Sequence, residues 1–191
     1  MKDNTHKYHR PLPDSNNMEK RARLFFDALT KEDYDGILAL TYPGIFNLVP
    51  KGLMREKIAE TFLSDDSKVT MDLFEINAIG KVYEHDEGNY AVIHYTMLMA
   101  IQFLDKKADP EKEKEFREFM LRFFKSQFGE DNFWHEPHTD AYSYYQKKTM
   151  IGIQDQLSPE WTFINNQPGQ LMEQFIPADI RMLIEWELSG Q

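Results

Sequence analysis

The stretch FWHEPHTD, residues 133–140, brings His135, Glu136, His138 and Asp140 within six positions, with Trp134 beside them. Imidazole and carboxylate are the ligand types that hold Zn or Fe, and three such groups make a minimal set. The spacing argues against that chemistry. The two histidines flank Pro137 and do not stand four apart on one helical face, so HExxH geometry is absent. His6 and His9 repeat the same three-residue spacing in a polar N-terminal stretch. The segment is therefore expected to be a polar loop closing a preceding helix, and no metal is expected.

His94 is the second candidate. It lies mid-strand beside Thr96, on the less apolar face of a long alternating segment, and is expected to face an interior pocket and to be hydrogen-bonded. An imidazole in an apolar pocket, oriented by a carboxylate or a tyrosine, serves as a general base near neutral pH. Asp72 on the preceding strand is the candidate partner for such a catalytic pair. The plainer reading is a core histidine satisfied by a tyrosine hydroxyl. A candidate ligand-binding wall follows from the aromatic content around it: Tyr42, Phe46, Phe74, His94, Thr96, Tyr144 and Trp161 would surround a flat or apolar small molecule. The same rings would equally well fill a core. Nothing resembles a nucleophile elbow, a Walker loop or a dinucleotide glycine motif, so no cofactor is expected.

These residues need a scaffold, and the bulk composition bounds it. A chain of 191 residues fits one domain with a sizeable core. It carries 32 acidic against 22 basic residues, a net charge of −10, which repels phosphate backbones and excludes nucleic acid as the expected partner. There is no cysteine, hence no disulfide or thiolate chemistry. The first residues lack the apolar core of a signal peptide, and the longest uncharged run, Tyr90 to Leu104, is too short and polar to span a bilayer. A soluble, cytoplasmic protein is expected.

Residues 1–14, with Pro11 and Pro13, read as a loose arm, and 15–191 as a single domain. From Ser15, Met18, Ala22, Phe25, Phe26 and Leu29 form one stripe of a 3.6-residue period. Thr30 to Asp33 reads as a capping box that starts a second helix through Leu40, stopped by Tyr42-Pro43-Gly44. A third helix is expected over Leu53 to Leu63. Strands follow at Val69–Ile79 and Lys81–His85. After a turn at Asp86-Glu-Gly-Asn89, a strand runs from Tyr90 to Phe103, with Ala91, Ile93, Tyr95, Met97, Met99, Ile101 and Phe103 on its more apolar face. Asp109-Pro110 opens a helix that Gly129 closes. Tyr142–Gln154 and Trp161–Asn166 read as strands, and Gln170–Ile176 and Ala178–Glu187 as closing helices. The pattern is α+β, with helices covering one face of a mostly antiparallel, curved sheet.

In order and texture the chain resembles the NTF2-like superfamily, a cystatin-like α+β cone, and within it the SnoaL-like and uncharacterised branch. The resemblance rests on the paired helices in RARLFFDALTKEDYDGILAL, the third helix LMREKIAETF and the long strands. The late strand Trp161-Thr-Phe-Ile164 and the Leu171…Ile176-Pro177…Ile180 tail complete it. It covers most of residues 16–104 and 141–187. The resemblance implies a curved sheet wrapped around helices to form a cone with an internal pocket. Residues 105–140 then stand out as a helical insertion. The superfamily holds steroid isomerases, dehydratases, polyketide cyclases, transport factors and proteins without assigned activity, so fold alone does not decide function. The expected function is non-catalytic binding of a small apolar or aromatic ligand, or of a protein partner. The alternative is an isomerase, dehydratase or cyclase using His94 with a carboxylate or tyrosine.

The inserted helix carries one further expectation. Phe116, Phe119, Met120, Leu121, Phe123, Phe124 and Phe128 spread over about 200° of its circumference, against about 100° for the first helix. One sheet cannot cover so wide an arc, and monomers seldom expose such a patch. A homodimer through this helix is expected, the competing possibility being that the closing loop and the C-terminal segment of the same chain cover it.

Overall fold

The computed structural model describes residues 15–104, 109–166 and 170–190; the expected N-terminal arm, 1–14, lies outside them. Helix α1 spans Ser15–Thr30, α2 Tyr34–Leu40 and α3 Lys51–Phe62, with a 3-10 turn at Pro43–Asn47 between the last two. The strands are β1 Ser67–Ile79, β2 Tyr83–His85 and β3 Gly88–Phe103, followed by α4 Pro110–Phe128. Then come β4 Phe133–Glu136, β5 Ala141–Asp155, β6 Thr162–Asn165, α5 Gln170–Phe175 and α6 Ala178–Ser189. The fold is α+β, as the sequence implied. No described helix is long and apolar enough to cross a membrane.

Local signals explain most boundaries. The Asp109 carboxylate accepts from the Glu111 N–H at 3.0 Å, and Gly129 leaves α4 at a φ of 81° that costs glycine nothing. The expected Thr30 capping box does not form. Thr30 ends α1 instead, and Asp33 caps α2 alone by accepting from the Gly36 N–H at 3.0 Å. Glu32, at a φ of 54°, supplies the tight turn between the two helices.

All strand pairings are antiparallel, in the order β1–β3–β5–β4, with β2 on β3 and β6 on β5. β3 pairs with β5 from Gly88 to Gln102, a spine of about 50 Å at the usual rise per residue. Straight strands of that length do not stay flat. Two register shifts in β1, at Asp72/Glu75 and Ile76/Ala78, add residues on one edge, bend it and curl the sheet into a half-barrel. Leu73, at the first shift, sits at a φ of 49° and points largely into solvent.

Alternation along β3 sorts the core into two faces. Ala91, Ile93, Tyr95 and Met97 join Met150 and Phe163 under Met18, Ala22 and Phe26 of α1. Tyr90 and Val92 join Ile151 and Ile153 under Ile180 and Ile184 of α6. Helices therefore lie on both faces, not on one. The signal is visible in β3 itself, where Gly88 to Ile93 is buried without a break, as a strand covered on both sides must be.

At the other end of the first face α4 packs through Phe124. Its ring lies 5.3 Å from Phe133, 5.4 Å from Tyr142 and 5.3 Å from Tyr144. The segment expected as a loop is in fact a hairpin. Phe133–Glu136 pairs with Tyr144–Ala141, because Phe133 has this aromatic cluster to enter while Trp134 takes the opposite face.

Candidate functional site

Between α1–α3 and the first face of the sheet the walls do not close. A cavity of about 890 Å3 remains. Phe25 and Leu29 of α1, Ile37 of α2 and Met54, Ile58 and Phe62 of α3 form one wall. Met71 of β1 and Tyr95, Met97 and Met99 of β3 form the facing one. The gap follows from the helix stripes. Met18, Ala22 and Phe26 rest on the sheet, whereas Phe25 and Leu29 are turned aside by about 100° per residue and are only half buried. α3 anchors through one fully buried side chain, Phe62, at its C-terminal end. Nearer its N-terminus Met54 and Ile58 are only half buried, packed beside the Tyr42/Ile45 and Ile37/Phe62 clusters.

The exposed members of the wall are all polar: Thr61, Asn77, Lys147, Lys148 and Asn165. Two of them, Lys147 and Lys148, lie on β5, and Asn165 ends β6 beside it. β4 pairs with β5 only as far as Tyr144 and β6 only from Met150, so residues 145–148 have no strand on that side among the described residues. Gln146 and Asn166 border the cavity there too. Asn166 Nδ2 donates to Thr149 Oγ1 at 2.8 Å. Deeper in, burial pushes the Tyr95 phenol up to about 12, so it presents a neutral ring and hydroxyl at ordinary pH. No carboxylate lines the cavity among the described residues. Its chemistry is that of alkyl chains, thioethers, rings, amides and two ammonium groups.

Of the residues expected from sequence, His94 alone borders this space. Its side chain belongs to the second face, with Nε2 4.0 Å from Glu187 Oε1 on α6. Asp72 is exposed and pairs with Leu98, four residues along β3 from His94, roughly 13 Å at strand spacing. That acid/base pair is not assembled. Tyr42 is buried on the α6 side and donates to Asp155 Oδ2 at 2.5 Å, which together with burial drives its phenol strongly upward. Phe46 is half buried in the 3-10 turn, with Lys51 Nζ 5.7 Å above its ring. Phe74 stacks on Phe26 at 4.6 Å, closing the core beside the cavity. Thr96 Oγ1 donates to Asn77 Oδ1 at 2.9 Å, Tyr144 donates to Met99 Sδ at 2.8 Å, and Trp161 is wholly buried. The expectation that the more polar face of β3 lines the pocket is corrected. The apolar face does, through Tyr95, Met97 and Met99, because α1–α3 lie on that side while the polar face meets α6 and solvent.

Two of the histidine–carboxylate pairs tie elements together, the first of them at the cavity's edge, which His94 borders. In one, His94 and Tyr83 meet Glu187; Tyr83 O–H donates to Oε2 at 2.8 Å, and burial with this carboxylate pushes the phenol up to about 12. A β-carbon on Gly80 would collide with Glu187, so glycine is what lets the α6 carboxylate lie against the sheet. In the other, Asp140 lies 2.7 Å from His135 Nε2 and 3.2 Å from Arg117 Nε. It clamps α4 to the β4–β5 hairpin from a turn residue at a φ of 53°. His138 is exposed, and no group of three or more metal-ligating side chains is assembled among the described residues.

The wall of the cavity was legible only in part. The Phe25/Leu29 stripe and the Tyr95/Met97/Met99 alternation were both readable, but nothing local says that the two fail to touch. No protein-family model and no curated protein matches the chain.

Proposed function

We propose that the protein binds one small apolar ligand in the cavity between α1–α3 and β3, without catalysis there, on a fold of the NTF2-like type. One observation carries the reading: about 890 Å3 of space walled by Met, Ile, Leu and Phe, in the size range of ligand sites. The family reading is supported by the helix pair and third helix packed on a curled antiparallel sheet. A cysteine-free composition supports a cytoplasmic setting. The catalytic alternative has one candidate at the cavity, His94, whose Nε2 lies 4.0 Å from Glu187 in a cluster with Tyr83 that holds α6 against the sheet. Titration with an environment-sensitive apolar dye tests the binding. Saturable one-to-one binding that Ile58→Trp abolishes, with folding intact, is expected. No binding above that of the Trp variant overturns it.

We also propose a two-fold dimer through α4. Phe119 and Phe123 are 55% and 45% exposed, with ring centroids 6.3 Å apart, and neither the hairpin nor α6 covers them. Light scattering at micromolar concentration is expected to give twice the chain mass, and Phe119→Glu with Phe123→Glu to halve it. A monomer mass for the unaltered chain rejects the dimer.

A further inference from the structure

The charge on the cavity wall runs against the charge of the chain. There are 32 acidic residues in 191, yet no Asp or Glu lines the cavity among the described residues, while two adjacent lysines, Lys147 and Lys148, do. Neither lysine forms an ion pair with a described carboxylate within 4.0 Å, although most other basic side chains on the helices do. Beside them stand the amides of Gln146, Asn165 and Asn166. All of these gather at the β5 edge left open between β4 and β6, where residues 145–148 have no strand partner on that side among the described residues and the Thr149 carbonyl accepts from the Asn166 N–H at 3.3 Å. The opposite end, under α1 and α3, is apolar apart from Thr61. The site is therefore polarised, cationic and amide-rich at its mouth and hydrocarbon within.

The composition of the inner wall says what kind of apolar group suits it. Met54, Met71, Met97 and Met99 all face the space. Unbranched thioethers repack around an irregular or flexible guest more readily than branched side chains or rings do. The volume, about 890 Å3, lies near the upper end for ligand sites and is far more than one aromatic ring needs. A flexible chain that coils to fill the space fits both facts.

We propose that the ligand is a long-chain monocarboxylate of fatty-acid type, its alkyl chain among the methionines and its carboxylate held at the β5 edge by Lys148 and Lys147. Lys148 is the nearer partner. It pairs across the sheet with Tyr95 and so shares the face that lines the cavity, whereas Lys147 pairs with Thr96 on the other face. A carboxylate between ammonium and amide donors makes charge-assisted hydrogen bonds, and nothing in the lining repels it. This inference rests on the apolar-ligand reading above and adds the head group to it.

Calorimetric titration of the full chain with decanoate, dodecanoate, tetradecanoate and 1-dodecanol separates the two claims. Affinity is expected to rise about fourfold per methylene until the cavity is full. Dodecanoate is expected to bind about tenfold more tightly than 1-dodecanol, the scale of one charge-assisted contact. Lys147→Gln with Lys148→Gln, both surface changes, is expected to remove that advantage and leave 1-dodecanol unaffected. Equal affinity for the acid and the alcohol overturns the head-group inference while the apolar-ligand reading stands. Binding of either that persists in Ile58→Trp places the amphiphile outside the cavity and overturns the inference. No binding of acid or alcohol overturns both readings.

Discussion

The two ends of one sheet face are built from similar material and behave differently. At the α4 end, Phe124 meets Phe133, Tyr142 and Tyr144 with centroids 5.3 to 5.4 Å apart, and Phe128 stacks on Tyr144 at 4.0 Å. Flat rings in parallel close the space between helix and strand. At the α1–α3 end, the same strands present Met97 and Met99 to Phe25, Leu29 and Ile58, and a cavity remains. The cause is what faces each helix rather than apolar content. Each helix buries one side chain fully, Phe124 or Phe62, but Phe124 enters a stack of rings from two strands, whereas the residues of α3 beside Phe62 that face the sheet, Met54 and Ile58, border open space. A stripe of apolar residues makes a core where rings from the facing strands fill the space beneath it, and a pocket where they do not.

The largest expected effect breaks that contrast at its solid end. Phe124→Ala is expected to cost about 3–5 kcal/mol, because the neighbouring rings cannot collapse into the void. Met97→Ala, which enlarges a space already present, is expected to cost less, near the lower end of about 2–5 kcal/mol. Urea unfolding of both variants checks the pair. Equal losses would mean that the cavity end is as tightly packed as the other.

Alkaline unfolding sharpens the comparison because each end carries a buried phenol. Burial pushes Tyr95 beside the cavity and Tyr142 in the aromatic cluster up to about 12, from an ordinary value of 10.0. A raised folded-state value favours the neutral form in the native protein. Its contribution is fully present below pH 10, and is lost as pH rises from 10 through about 12, where the unfolded chain ionises first. Stability by urea unfolding is expected to be flat in this respect up to pH 10 and to fall beyond it. Tyr95→Phe and Tyr142→Phe should each make that fall shallower, with the folded-state tyrosinate absorbance shifted correspondingly. An unchanged slope in either variant removes that residue from the account.

The smallest effect concerns the bend that curls the sheet over both ends. Leu73, exposed at a φ of 49°, occupies a backbone region that asparagine tolerates better. Leu73→Asn is expected to stabilise the fold by about 0.5–1 kcal/mol, read by thermal unfolding, and to leave ligand binding unchanged. Destabilisation would show that the Leu73 side chain supports the bend.

Wherever the signal was local, the sequence determined the outcome. Asp109-Pro110 and Gly129 bounded α4 to the residue, because capping is settled by one side chain and one backbone angle. The 3.6-residue stripe of α1 and the two-residue alternation of β3 assigned each side chain to a face, since helix and strand periods are fixed by backbone geometry. Even the wide apolar arc of α4 carried information, for the structure leaves Phe119 and Phe123 in solvent. Tertiary structure decided the rest. Which face of β3 would turn toward α1–α3, and so which set of residues would line a cavity, depended on bulges in a different strand and on where α6 came to rest. His94 acquired Glu187 from 93 residues further along the chain instead of Asp72 from the adjacent strand. Periodicity specifies a direction for each side chain; only the arrangement of whole elements specifies what it meets there, because that depends on contacts between residues far apart in the chain.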